Sequence, residues 1–231
     1  MRIRSFIVAY VLVLAILLFA DRRPSSTQQD RYSHVVDLTD GQNAALPHAT
    51  AAESRTRIIA PAALIPGTWA AGQIPPERLV APLVVMDLNA ASAAVEGNPQ
   101  ISLDDIAVWE SRHGMIPQGA VVAIRRTGAR ADLPIHNLST NASLSTPFPI
   151  ARDAAEFLTV ARYTIGFAVE THVDLASDQT LARHLALHGS YVVEGTARLT
   201  SLPASGSLIV VAPEKNKKTG EAPVRILAMV R

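Results

Sequence analysis

The sequence predicts one mixed α/β domain, and three observations carry that prediction. Through the second half of the chain, helix-period and strand-period segments alternate, the pattern of a sheet flanked by helices. The chain has 231 residues, enough for one sizeable core. Apolar residues make up 48% of it and the net charge is +1. That composition supports a packed interior and supplies no basic surface for nucleic acid. Aromatics are only 5% of the chain, so Ala, Val, Ile and Leu must fill the core. There is no cysteine, which excludes a disulfide framework, a thiolate metal site and a cysteine nucleophile. No internal repeat is present.

The elements follow in chain order. Residues 1–4, MRIR, are a short basic start, and Ser5 to Ala20 is a nearly unbroken apolar run that Asp21-Arg22-Arg23-Pro24 ends abruptly. A run of about 16 residues falls short of the roughly 20 that a spanning helix needs. Residues 1–20 are therefore read as a cleaved export signal, with a retained membrane anchor as the alternative. Polar residues 21–32 read as a flexible tether, and the domain is expected over 33–231. On this reading the protein is exported, to a periplasm or the outside, or held at a membrane by residues 1–20.

Ser33 to Thr39, SHVVDLT, is a short strand pattern. Glu53 to Trp69, ESRTRIIAPAALIPGTW, reads as an apolar connection closed by the turn dipeptide Pro66-Gly67. Leu79 to Leu88 is a hydrophobic strand. Ser102 with Asp105 three residues on is a helix start, and acidic residues in the first turn suit the helix dipole. Ile106, Trp109 and His113 then share one helical face, and Gly114 is the stop. Residues 120–128 form the next strand. Residues 128–150, rich in Ser, Thr, Asn and Pro, read as loop, and Asn137 and Asn141 there match glycosylation acceptors only formally. Helices are expected at Ala151–Ala161 and Gln179–His188, with strands at Tyr163–Glu170, Ser190–Gly195, Ser207–Ala212 and Val224–Val230. Glu214 to Glu221, EKNKKTGE, reads as a solvated hairpin connection.

Two stretches carry a resemblance. The run SLDDIAVWESRHGMIPQGAVVAIRRTG and the frame formed by Pro61 and Ile65-Pro66-Gly67 resemble the cyclase family that includes the bacterial kynurenine formamidases. Asp37-Leu38-Thr39 is similar to that family's opening strand, with Asp40 where the family has His. The resemblance implies a swivelling β/β/α fold, a mixed sheet with flanking helices, and a dimer or larger oligomer. It implies metal-assisted hydrolysis of an amide or related carbonyl bond, the family substrate being N-formylkynurenine of tryptophan catabolism. Zinc or manganese would activate water, and a histidine would handle the proton.

Carried over by position, the signature's chemistry is replaced. Glu53, Arg57, Ile59 and Ala63 stand where the family has His, His, Asp and His. Ala182 stands at a later His, and Glu194 alone keeps its family identity. The proton-handling His falls on Ala63. Arginine stays protonated and has no lone pair to give a metal, and isoleucine cannot ligate at all. The segment between Thr39 and Glu53 is also shorter than the family's active-site wall.

A relocated site is the alternative. His184 and His188, at i and i+4 on a helix, could share a face and meet Glu194, His172 and Asp174, with Glu53 a further ligand candidate. The run HLALH lacks the glutamate of a metalloprotease helix, and such histidines are ordinarily polar residues of a helix surface. No nucleophile elbow for a Ser-His-Asp triad, phosphate loop or dinucleotide fingerprint occurs. The sequence is thus read as a degenerate, catalytically impaired family member acting as a binding or structural module. The alternative is an active metal-dependent hydrolase with a rearranged site. No cofactor is expected on the first reading, zinc or manganese on the second. The partners expected are a small carbonyl or amide ligand and further copies of the chain, with no nucleic acid and a membrane only through residues 1–20.

Overall fold

Strand residues in this chain alternate between two apolar environments, and that alternation follows a sheet closed into a barrel. The structure, a computed structural model, describes residues 32–40, 56–88, 94–95, 98–126, 146–215 and 218–231. The targeting run 1–20, nearly all of the tether, Glu53, Asn137 and Asn141 lie outside the described residues. His34–Arg231 form one compact unit.

The strands are β1 (His34–Asp37), β2 (Arg57–Ile59), β3 (Val80–Leu88), β4 (Ala94–Val95), β5 (Asn98–Pro99), β6 (Val121–Arg126), β7 (Gly166–Val169), β8 (Tyr191–Glu194), β9 (Ser207–Pro213) and β10 (Glu221–Val230). The helices are α1 (Pro61–Leu64), α2 (Leu103–His113), α3 (Arg152–Ala161) and α4 (Gln179–Leu187). Around the barrel the order is β10, β2, β8, β7, β6, β3, β9 and back to β10, while β1 pairs β10 beyond the end of β2. β4 and β5 form a separate small ribbon.

β3, β6, β7 and β8 are parallel neighbours in sequence order, joined through α2, α3 and α4. Right-handed crossovers between successive neighbours place every connecting helix on the same face of the sheet. One side chain set, including Leu83, Val85, Val121, Ala123, Tyr191 and Val193, packs into one cluster inside the barrel. The alternate set, including Val84, Val122, Phe167 and Val192, packs with Trp109, Leu158 and Leu185 of the helices. Trp109 also donates its Nε1–H to the Val85 carbonyl at 3.0 Å, tying α2 to β3.

The helix starts match their sequence signals. Ser102 Oγ accepts from the Asp105 amide at 3.2 Å, and Asp105 Oδ2 accepts from the Ser102 amide at 2.8 Å. Gly114 ends the helix at φ 83°, a conformation that glycine adopts without penalty. Ile106 and Trp109 are buried, whereas His113 is exposed with its ring 4.9 Å from that of Trp109.

Two expectations are corrected. The strand expected from Tyr163 begins at Gly166, because Tyr163 takes a left-handed φ of 53°. The stretch read as a connection holds β2 and α1. Three residues are too few for strand alternation to show, and β2 is a strand only because β8 and β10 flank it. Mixed α/β architecture holds as expected, and closure of the sheet is the added feature.

Candidate functional site

β2 enters the sheet with Arg57 directly opposite Glu194 of β8. Ile58 and Val193 point into the barrel, so the period of two turns both Arg57 and Glu194 to the helix side. The Thr56 hydroxyl donates to the Gly195 carbonyl at 2.7 Å and fixes the start of this pairing.

Glu194 is fully buried. Its Oε2 accepts from Arg57 Nε at 2.7 Å and lies 3.0 Å from His172 Nδ1, and its Oε1 accepts from the Val173 amide at 2.7 Å. Burial pushes this carboxyl up, but the His172 bond, the Arg57 charge and the Val173 amide outweigh it and hold the group below its ordinary value. On its other side Arg57 Nη1 lies 3.4 Å from Glu221 Oε2 of β10. One guanidinium therefore faces a carboxylate from each flanking strand.

Beside this cluster in sequence, α1 follows β2 at once. Pro61 opens it, where its missing N–H costs nothing, and Gly67 (φ 88°) turns the chain away. The β9–β10 connection packs directly on it: a Cβ at Gly220 would fall 2.4 Å from the Ala63 backbone. An open cavity of about 560 Å³ runs between α1 and α4. Ala63, Leu64 and Ile65 form one wall, and Ala182 with Gln179, Thr180 and Arg183 the other. The N-cap of α4 is Asp178, whose Oδ1 accepts from the Leu181 amide at 3.0 Å while Arg152 Nη2 donates to its Oδ2 at 2.7 Å.

The metal candidates separate. Glu194 and His172 meet. His184 Nε2 lies 2.6 Å from Thr159 Oγ1 on α3, and His188 Nδ1 lies 2.9 Å from the His184 carbonyl, with the two rings 4.2 Å apart. Burial and then the neighbouring His188 lower the His184 imidazole below its ordinary value. Asp174 Oδ1 accepts from the Ser177 amide at 3.1 Å. Among the described residues no three His, Asp or Glu side chains group to hold a metal ion.

The residues present do not fit the ion that the resemblance implies. Among the described residues, Ile59, Ala63 and Ala182 have no lone pair to offer, and the carboxylate in place there, Glu194, is taken by a guanidinium. The Arg57–Glu194 pair was missed in the sequence. Its signal was there: a permanent cation and a carboxylate, both on positions that the resemblance assigns to one ion. Also missed was a second charged cluster at the C-terminal ends of β3, β6 and β7. There Arg125 pairs with Asp87 and donates Nη1–H to the Leu202 carbonyl at 2.9 Å, and Glu170 accepts from the Arg126 amide at 2.8 Å. Burial pushes the Glu170 carboxyl up.

Known proteins share this architecture. The family model described as Putative cyclase matches residues 25–173. An isatin hydrolase of Roseibium aggregatum is 30% identical over 166 residues, 67% of this chain. The match spans 61% of that hydrolase's length. Among solved structures, isatin hydrolase A from Labrenzia aggregata bound to benzyl benzoate superposes with a TM-score of 0.66 at 24% identity, over 91% of this chain and 98% of that one. Isatin hydrolase A from Ralstonia solanacearum gives 0.65 at 28% identity, over 86% and 92%.

Proposed function

The chain belongs to the Putative cyclase family, and on that premise we propose that it is a degenerate member, a small-molecule binding module built on a hydrolase scaffold. Its relatives are hydrolases. Hydrolysis of the kind the family resemblance implies needs a metal to activate water and a group to handle the proton. The observation that carries the reading is the cleft between α1 and α4. Ala63 and Ala182, which by resemblance replace the proton-handling and a ligating histidine, both line it. Two imidazoles have become two methyl groups, so reactivity is withdrawn while space is kept.

The ligand follows from the lining. A volume of about 560 Å³ lies within the usual range for small-molecule sites, roughly 300–1,000 Å³. Ala63, Leu64, Ile65 and Ala182 offer an apolar surface, and Gln179, Thr180 and Arg183 offer polar groups at the rim. Arg183 has no carboxylate partner among the described residues and is free to hold a carbonyl, amide or carboxylate oxygen. The ligand class is a compact molecule with an apolar ring and at least one such group, a description that N-formylkynurenine and isatin both meet. The protein is proposed to work outside the cytoplasm, as residues 1–20 suggest, and as an oligomer.

Calorimetric titration of the purified chain with N-formylkynurenine and with isatin, paired with metal analysis, tests this. Saturable binding without turnover is expected, and Thr180→Trp, which projects an indole from an exposed lining position, should abolish it. Stoichiometric zinc or manganese with hydrolysis that a chelator stops would replace this reading by the second one. That second reading draws on the His172–Glu194 contact, and His172→Ala would then release the metal.

A further inference from the structure

Glu194 has chemistry that does not depend on the cleft. A fully buried carboxylate survives ionised only if its charge is met inside the protein. In a metal-centred site of this kind the ion would do that. Here the meeting group is Arg57, on the short central strand of three, with Glu194 at 2.7 Å on β8 and Glu221 at 3.4 Å on β10. We propose that Arg57 is a resident cation: its guanidinium replaces a bound divalent ion as the counter-charge of the site, so the domain keeps its architecture without metal and turns metal away.

Three features of the geometry support this. First, space: a metal ion binds a carboxylate oxygen at about 2.0–2.2 Å, and Arg57 Nε already stands 2.7 Å from Glu194 Oε2. Second, charge: one fixed cation between carboxylates of both neighbouring strands does the bridging that a shared ion would do. A guanidinium stays protonated at any pH the fold meets and no chelator removes it. Third, saturation: Glu194 is already supplied with hydrogen bonds from Arg57, His172 and the Val173 amide. A metal would have to displace the best of them.

The strand register shows why only position 57 serves. β2 spans Arg57–Ile59. Ile58 belongs to the barrel interior and Ile59 faces Val192 across the pair, in the cluster that packs the helices. Arg57 alone is both opposite Glu194 and partly open to solvent, so a long side chain fits there without being fully desolvated.

The full chain is purified, its zinc and manganese content measured, and its thermal unfolding followed with EDTA and with added zinc chloride. Far less than one metal ion per chain is expected, and a Tm that moves by no more than about 1 °C in either condition, since a ligand that does not bind the native state does not raise its stability. Arg57→Gln strands a buried carboxylate and should lower Tm clearly, while Arg57→Lys, which keeps the charge, should lose less. The double variant Arg57→Gln with Glu194→Gln removes both charges and should recover a large part of the loss. A single variant that fails to fold beside a double variant that folds supports the proposal equally. Stoichiometric metal, a Tm that falls in EDTA, or a double variant no more stable than Arg57→Gln would overturn it.

Discussion

Glu110 shows at the scale of one residue how this chain uses its charges to fix loops. It projects from α2 and receives two bonds from Arg162, Nε to Oε1 at 2.7 Å and Nη2 to Oε2 at 2.8 Å, while the Ile116 amide donates to Oε1 at 3.0 Å. The Arg162 bonds outweigh burial and hold this carboxyl below its ordinary value. A depressed carboxylate stabilises the fold above its unfolded pKa and loses that contribution as pH falls through the folded one. Glu110→Gln should therefore cost about 1–3 kcal/mol at pH 7. Urea titrations at stepped pH below about 4.5 should show the parent chain losing stability faster than the variant, the two converging in acid. The Arg57–Glu194 pair is a different case, because its members lie far apart in the chain and no local pattern links them. Each was visible singly in the sequence, but their pairing depends on β2 lying against β8, and a strand as short as Arg57–Ile59 leaves no periodic trace.

Elements with local start and stop signals were legible, and elements defined by their neighbours were not. α2 could be bounded from Ser102, Asp105 and Gly114 because a cap is a hydrogen bond between residues three apart. β7 was placed but overextended, since the left-handed turn at Tyr163 leaves no mark in composition. Within β7, Gly166 answers to a partner strand: it pairs with Tyr191, and a Cβ there would fall 2.4 Å from the tyrosine ring. The ring is wholly buried and its hydroxyl donates to the Arg78 carbonyl at 2.9 Å, so it has little freedom to move aside. Gly166→Ala should thus destabilise by about 1–3 kcal/mol through overpacking. In a Tyr191→Phe background, which leaves the ring in place, the same substitution should cost nearly as much, as melting curves of the single and double variants would show. Recovery in Gly166→Ala with Tyr191→Leu would locate the strain in the ring itself.

On the scale of the whole molecule, export is the proposal that the sequence pattern of residues 1–20 supports. A reporter fused behind residues 1–30 should leave the cytoplasm, and a mature protein beginning near Asp21 would identify a cleaved signal; a reporter retained inside the cell would remove the assignment. The α/β class was legible because alternating segments report layers, whereas closure was not, because it depends on β9 pairing both β3 and β10. The same long strand, β10, also receives β1, with His34 opposite Val230. Antiparallel partners sit about 5 Å apart, so the domain's point of entry and point of exit are neighbours. Its backbone is nearly a ring, which a short peptide between the two ends could complete. Anything attached after Arg231 would start beside the place where the polypeptide first joins the barrel, and a tension applied between the two ends would open the β1–β10 pair bond by bond from the His34–Val230 end.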